Sequence, residues 1–145
     1  MGSDSVHDTD QLAGQICLYI FENYHRSLPL SEVSEVINKS ERSTRRLIII
    51  RIGYPFSKLK NAIRMYHTVA GFTGNRHELY DRAFRCGFRD ENAFYYWWKR
   101  WAVVKKTDFK DKQVNFENAV NSECREIVNR INELIGYLED RKGED

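Results

Sequence analysis

Residues 87–94, with the sequence GFRDENAF, have the pattern of a tight turn followed by a capped helix. Gly87 can adopt the left-handed backbone of such a turn, and Asp90 is a residue type that caps helix N-termini. Four-residue steps back from the glycine lead to Ala83 and Leu79, so a small side chain lies where a second helix must cross closely. Together these residues predict a helix-turn-helix.

A second copy of this pattern lies about fifty residues earlier in the chain. Leu30, Ser34 and Asn38 have the same four-residue spacing, and Ser40 follows as the cap. Asparagine is one of the few residues besides glycine that readily takes the left-handed conformation. One such match is common by chance, but two matches with a long helical stretch between them predict a pair of helix-turn-helix units.

The rest of the chain favours helices, because apolar residues recur at helical spacing and strand alternation is scarce. The predicted fold class is all-α, with two helix-turn-helix subdomains joined by a long linker helix and followed by a C-terminal heptad helix. We expect Gln11 to begin the first helix and Ser31 to cap the second. The predicted segments are a flexible acidic N-terminus (1–10), a double helix-turn-helix domain (11–110) and a C-terminal helix (111–145). Within the domain, the first helix-turn-helix spans about 30–52, the linker helix about 57–70 and the second helix-turn-helix about 77–101.

The net charge of +2 conceals an uneven distribution. Residues 11–110 contain 18 Lys and Arg against 9 Asp and Glu, whereas residues 1–10 and 111–145 are each net acidic. A basic segment of this length is typical of a protein that binds a polyanion such as nucleic acid. A basic solvated surface with no such partner is the alternative that charge alone leaves open.

Other classes of function find little support in the sequence. The three cysteines, an odd number at wide spacing, favour reduced thiols in a cytoplasmic protein over a disulfide framework. No signal-peptide pattern or membrane-length apolar run occurs, so we expect cytoplasmic localisation and no membrane partner. The histidines lack metal-ligand spacing, and no phosphate loop or nucleophile motif is present. We therefore expect no metal, no cofactor, no catalytic residue and no enzymatic activity.

On these residues the chain resembles the DNA-binding domain of the AraC/XylS family over roughly residues 11–110. The second half of that family's motif is Ile or Leu, then Ala, then Gly-Phe-x-Asp-x-Ser-x-Phe. The matching positions are Leu79, Ala83 and residues 87–94, together with Ser40 and, thirteen residues on, Gly53, which match the first half. The chain departs from the family pattern at four scaffold positions, Thr44, Ile48, Val103 and Lys106.

The resemblance implies a bacterial transcription regulator that activates transcription and also contacts RNA polymerase, although repression is equally compatible with the sequence. Larger members of the family carry an effector-binding domain. Residues 1–10 and 111–145 are too short to form one, so we expect no control by a small molecule. Double-stranded DNA is the expected partner.

The first recognition helix is predicted over Glu41–Ile50. Exposed polar side chains near the N-terminus of such a helix contact base edges in the major groove. Its three arginines lie at i, i+3 and i+4 and share one face, where they could contact guanine or clamp phosphates. The predicted DNA-binding residues are Arg42, Ser43, Arg45 and Arg46. A solvated cationic face is the alternative.

The second recognition helix is predicted over Glu91–Trp101. Phe94, Trp98 and Trp101 recur at helical spacing and are expected in the core. Asparagine can pair with adenine, glutamate can accept from cytosine, and tyrosine can contact phosphates or thymine methyl groups. The predicted DNA-binding residues on the opposite face are Glu91, Asn92, Tyr95, Tyr96 and Lys99. The resemblance places Asn92, Tyr95 and Tyr96 on positions that the family uses for bases or adjacent phosphates.

The C-terminal segment carries a heptad seam with intervals of four and three residues. Its members are Val120, Cys124, Ile127, Ile131, Leu134 and Leu138. Because a short helix is marginal alone, the seam must pack on something. It either zips to a second copy or folds back on the core. We favour a homodimer, since Glu123 and Arg130 are at positions suited to pairing across subunits, although Val128 and Ile135 widen the stripe as folding back would require.

Two units that contact successive major-groove segments on one face of DNA need centres about one helical turn, ~34 Å, apart. The sequence therefore predicts a sequence-specific regulator that binds DNA through both units. Two rival functions remain. One is a protein-interaction antagonist of a related regulator, and the other is an architectural protein that binds DNA without sequence preference.

Overall fold

The computed structural model describes residues 2–70, 76–104 and 115–143, and these residues are almost entirely helical. The helices are α1 (Gly2–Asn23), α2 (Leu30–Val36), α3 (Glu41–Leu47), α4 (Phe56–Ala70), α5 (Arg76–Arg85), α6 (Glu91–Trp101), α7 (Phe116–Ala119) and α8 (Ser122–Gly143). The described part of the chain contains no β-strand, only one isolated antiparallel bridge between Ala102 and Val120. The all-α prediction is confirmed. None of the helices described is long and apolar enough to cross a membrane.

Two helix starts differ from the sequence-based expectation. α1 begins at Gly2 rather than Gln11, so the stretch interpreted as a flexible acidic end continues the helix. Acidic residues are favourable near the positive N-terminal end of a helix, so this composition is compatible with helix as well as with a free tail. The prediction that Ser31 caps α2 was wrong. Pro29 is the capping residue, with an extended backbone and no side-chain cap hydrogen bond, and Ser31 lies inside the first turn.

The chain divides into two compact units, each of which contains one of the helix-turn-helix segments. Unit 1 comprises residues 1–23, 28–60 and 129–145, and unit 2 comprises residues 24–27 and 61–128. The boundaries lie inside α4 and inside α8. The C-terminal segment is therefore not a separate appendage, because its residues belong to both units.

In unit 1, α1 and the second half of α8 pack closely at a glycine. A Cβ atom added at Gly14 would lie 2.9 Å from the Leu134 carbonyl oxygen and 3.3 Å from the Leu138 Cβ. Ile16 and Ile20 of α1 are fully buried, and so are several apolar residues of α2, of the segment after α3 and of α8. These side chains form the core of unit 1.

In unit 2, the core is aromatic, as the spacing along α6 predicted. Phe94, Trp98 and Trp101 are all buried. The Phe88 ring approaches the Phe94 ring edge-on with centroids 5.4 Å apart, and Phe116 approaches Tyr66 in the same way at 4.9 Å. Such edge-to-face pairs add a modest favourable energy to the burial of the rings.

The heptad seam is buried within a single chain. The buried seam residues are Val120, Cys124, Ile127, Ile131, Leu134 and Leu138. This is the fold-back arrangement, the alternative to the homodimer that we favoured, and a homodimer through this seam finds no support. The charged residues expected to pair across subunits are also used within the chain. In unit 2, Glu123 accepts hydrogen bonds from Arg100 and Trp101, and in unit 1, Arg130 donates to backbone carbonyls.

Candidate nucleic-acid interface

The first helix-turn-helix lies in unit 1 and consists of α2, a turn and α3. Ser34 is buried and donates its hydroxyl hydrogen to the Leu30 carbonyl at 2.9 Å, so its polar group does not obstruct helix packing. Asn38 has a positive φ of 56°, as the turn pattern predicted. Ser40 caps α3 by accepting a hydrogen bond from the Ser43 amide at 3.1 Å. The turn and the cap predicted for this unit are confirmed.

The outward face of α3 is cationic. The exposed residues on it are Arg42, Ser43, Arg45 and Arg46, with Glu41 at the start of the helix. Thr44 faces inward, fully buried, and donates its hydroxyl hydrogen to the Ser40 carbonyl. Among the described residues, no carboxylate forms an ion pair with the three guanidinium groups. They are therefore free to bind phosphate oxygens or base edges.

A π-helical turn over Ile48–Ile52 extends α3, which the sequence did not predict. The Gly53 amide donates to the Ile48 carbonyl at 3.0 Å, and Gly53 ends the segment with a φ of 99°. Ile48 and Ile52 are buried, whereas Ile49 and Ile50 remain 47% and 65% exposed. The two buried isoleucines are part of the core of unit 1. A run of isoleucines contains no signal for the wider period, so sequence alone could not locate this turn.

The second helix-turn-helix lies in unit 2 and consists of α5, a turn and α6. Leu79 and Ala83 are buried on α5. Gly87 has a φ of 106°, and the Asp90 carboxylate caps α6 by accepting from the Ala93 amide at 2.8 Å. The turn glycine, the small crossing residue and the cap are all where the sequence pattern predicted them.

Gly87 is also required for packing, which the turn pattern did not reveal. A Cβ atom at this position would lie 2.3 Å from the Tyr24 carbonyl oxygen and 2.8 Å from the Arg64 Nε. Arg64, only 9% exposed, donates from Nε to the Tyr24 carbonyl at 2.8 Å and from Nη2 to the Arg26 carbonyl at 3.1 Å. Burial lowers the pKa of Arg64. This arginine therefore fixes the loop against which the second turn packs.

The outward face of α6 is mixed rather than cationic. The exposed members of the predicted set are Glu91, Asn92, Tyr96 and Lys99. Tyr96 is 60% exposed, and its ring meets Trp97 edge-on with centroids 5.0 Å apart. Tyr95 is only half-buried against the core, where its ring lies 5.5 Å from the Tyr80 ring. Four of the five predicted residues are thus exposed, and the fifth, Tyr95, is half-buried.

Two exposed cations in the turns were missed by the sequence analysis. Lys39 immediately precedes the cap Ser40, and Arg89 immediately precedes the cap Asp90. The Arg89 side chain is 91% exposed, and its Nε lies 3.6 Å from the Asp90 carboxylate. Cations at the N-terminus of a recognition helix are well placed for DNA phosphates. The equivalent position of the two residues in the repeat was the signal that could have identified them.

The end of α6 carries a further exposed cation, Arg100. Its Nε lies 3.0 Å from the Glu123 carboxylate, which also accepts from the Trp101 indole nitrogen at 2.8 Å. The hydrogen bond to Glu123 and the charge of that carboxylate raise the pKa of Arg100. Glu123 therefore fixes the C-terminal end of α6 to the start of α8.

The cysteines are buried to different extents. Cys17 and Cys124 are buried, and Cys86 is half-buried. Burial raises the pKa of the Cys17 thiol to about 12 and raises that of Cys124 as well. Both stay neutral thiols at ordinary pH and act as small apolar residues. Lys106, one of the positions that depart from the family pattern, lies outside the described residues.

The chain is similar to several curated proteins of Staphylococcus aureus. It is 25% identical over 131 residues to an uncharacterized HTH-type transcriptional regulator of strain MW2, a match covering 87% of this chain and 18% of that protein. The counterpart in strain COL matches with the same identity and coverage. A third such regulator is 29% identical over 85 residues, which is 59% of this chain and 11% of that protein. This chain thus spans about a fifth of the length of the curated relatives it matches. No family model and no solved structure matches the chain.

Proposed function

We propose that this chain is a sequence-specific, double-stranded DNA-binding transcription regulator that uses two helix-turn-helix units in successive major-groove segments. The observation that carries the proposal is the outward face of α3, where Arg42, Arg45 and Arg46 are exposed directly after a helix-turn-helix turn. The names of the relatives, HTH-type transcriptional regulators, support the same function.

The two recognition helices would divide the work of recognition. Arginine pairs in bidentate fashion with guanine O6 and N7, so α3 favours guanine-containing sites. On α6, Asn92 suits adenine, Glu91 suits cytosine, and Tyr96 suits the thymine methyl group. Lys39 and Arg89 would bind phosphates and fix the orientation of each helix on the duplex. This division predicts two half-sites of different base composition.

The sign of regulation follows from the resemblance to the AraC/XylS family rather than from geometry. That resemblance implies an activator that contacts RNA polymerase while bound to DNA. The chain acts in this proposal as a binding protein and catalyses no reaction.

Selection of binding sites from a random duplex library tests the proposal. We expect the selected duplexes to share two short conserved sequences, or boxes, with centres about one helical turn apart. We also expect the affinity to fall steeply with salt, so that log K plotted against log salt concentration has a slope of about −0.9 per phosphate contacted. Salt-dependent affinity without any conserved box would indicate an architectural protein. The absence of DNA affinity would leave the protein-interaction antagonist as the function.

A charge-matched variant separates base recognition from charge. Replacing Arg42, Arg45 and Arg46 together by lysine keeps the net charge but removes the planar guanidinium fork. We expect the salt dependence to persist while the preference in the box that contains guanine is lost. Retention of that preference by the lysine variant would show that α3 does not recognise the bases.

A further inference from the structure

We infer that Arg130, a residue of α8, is a positioning residue for the first recognition helix. This inference rests on the proposed function, in which α3 enters the major groove. Arg130 is only half-buried and is far from the predicted DNA-binding residues in sequence. Its effect on recognition would be exerted through the backbone at the end of the α3 segment.

The contact is made to the last backbone carbonyls of that segment. Arg130 donates from Nη2 to the Arg51 carbonyl at 2.7 Å and from Nε to the Ile52 carbonyl at 3.4 Å. Its Nη1 lies 3.3 Å from the Glu133 carboxylate, one turn along α8, which orients the guanidinium group. One side chain thus binds two consecutive carbonyls at the point where the π-helical turn ends.

These carbonyls need a partner from elsewhere in the chain. The last carbonyl groups of a helix have no donor within it and carry a partial negative charge, which a cation stabilises. Ile49 and Ile50 of the π-helical turn are 47% and 65% exposed, so their side chains contribute less apolar burial to holding the turn than Ile48 and Ile52 do. Arg130 therefore holds the end of the turn on the side where Ile52 is buried.

The position of this turn determines where the arginines of α3 point. The segment is continuously helical from Glu41 to Ile52, so Arg45 and Arg46 lie within two turns of the carbonyls that Arg130 binds. A bidentate contact with guanine tolerates little change in direction. Loosening of the turn should therefore weaken base discrimination by α3 before it weakens general attraction to DNA.

Arg125 provides a matched control on the same helix. It also donates to two backbone carbonyls, those of Glu117 at 2.9 Å and Val120 at 2.7 Å. These acceptors lie around the end of α7 in unit 2 and belong to no recognition helix. Arg125→Ala removes the same chemistry from the same helix without touching α3.

The test compares Arg130→Ala, Arg130→Lys and Arg125→Ala in two measurements. In the free protein, amide hydrogen exchange over residues 48–53 should rise at least about tenfold in Arg130→Ala, because the charge-assisted hydrogen bonds to the Arg51 and Ile52 carbonyls are lost. On DNA, the same variant should lose about tenfold in affinity for the selected site with the salt dependence unchanged. The loss should be confined to base preference in the box bound by α3. Arg130→Lys should recover part of both effects, and Arg125→Ala should show neither.

The outcomes separate this inference from the proposed function. If the wild-type protein selects no sequence, the proposed function fails, and the exchange measurement alone decides whether Arg130 holds the turn. If the wild-type protein selects a site that Arg130→Ala binds with unchanged affinity and preference, the inference is overturned while the proposed function stands. Equal loss of preference in both boxes would also overturn it. Should Arg130→Ala fail to fold, Arg130→Met keeps the apolar stem without donors and must show the same loss in the α3 box.

Discussion

Replacement of Gly87 by alanine tests how the second turn is packed. An alanine at a φ of 106° costs about 1–2 kcal/mol for the left-handed conformation alone. The new Cβ would also lie 2.3 Å from the Tyr24 carbonyl oxygen, so the loop must move and lose the Arg64 hydrogen bond to that oxygen. A hydrogen bond to a charged group contributes about 1.5–3 kcal/mol. Together these terms predict a loss of about 2.5–5 kcal/mol in the free energy of unfolding.

Gly53 is the matched control for this substitution. Its φ of 99° is nearly the same, but a Cβ atom there would meet nothing within 4 Å. Gly53→Ala should therefore cost only the conformational part, about 1–2 kcal/mol. Urea denaturation of the two variants, followed by circular dichroism, measures both values. Equal destabilisation by the two alanines would refute the steric argument, and so would a Gly87→Ala variant as stable as the wild type.

The remaining predictions concern the seam and a buried thiol. Ile131→Asp places a charge at a fully buried position and should lower the free energy of unfolding by several kcal/mol, about 4 or more, whereas Asn132→Asp at the exposed neighbour should change it little. Calorimetry measures the stability. If Ile131→Asp leaves the stability unchanged and only lowers the sedimentation coefficient, the seam forms a homodimer after all. Burial raises the pKa of Cys17 from 9.0 to about 12, so the unfolded chain releases this proton first and stability should fall as pH rises from 9 to 12. Cys17→Ala should reduce that fall in alkaline denaturation curves, and identical curves for the two proteins would contradict the assignment.

Local patterns in the sequence correctly predicted the two turns and the caps of α3 and α6. Asn38, Gly87, Ser40 and Asp90 act through their own backbone or through an amide three residues away, so their roles depend on neighbours in sequence. The same kind of reasoning misplaced the start of α2, because Ser31 satisfies the rule for a cap but Pro29 already has the required extended backbone. Propensity alone does not choose between adjacent candidates.

Features that depend on distant residues could not be predicted. A heptad seam shows that one face of a helix must be buried, but it does not show which residues cover that face. Nothing in the sequence of α8 indicates that Leu134 packs closely against Gly14. Nothing in the sequence around Arg64 indicates that its guanidinium group fixes the loop against which Gly87 packs. In the candidate site, the exposed face of α3 could be predicted from residue spacing. The partial burial of Tyr95 could not, because the Tyr80 ring causes it, and neither could the hydrogen bonds of Arg130, because their acceptor carbonyls lie far away in the chain.

The packing of α8 against α1 at Gly14 affects the order in which the two units fold during synthesis. Leu134 must be synthesised before it can pack against Gly14, whereas nearly all of unit 2 is one uninterrupted stretch of the chain. Contacts between residues far apart in sequence form slowly, since a long loop must close first. During synthesis unit 2 can therefore fold first, while the apolar face of α1 stays exposed until the second half of α8 has been made. Chains truncated within α8, after residue 128, would leave α3 on an unfinished unit 1, and such incompletely folded chains expose apolar surface and are bound by chaperones or degraded.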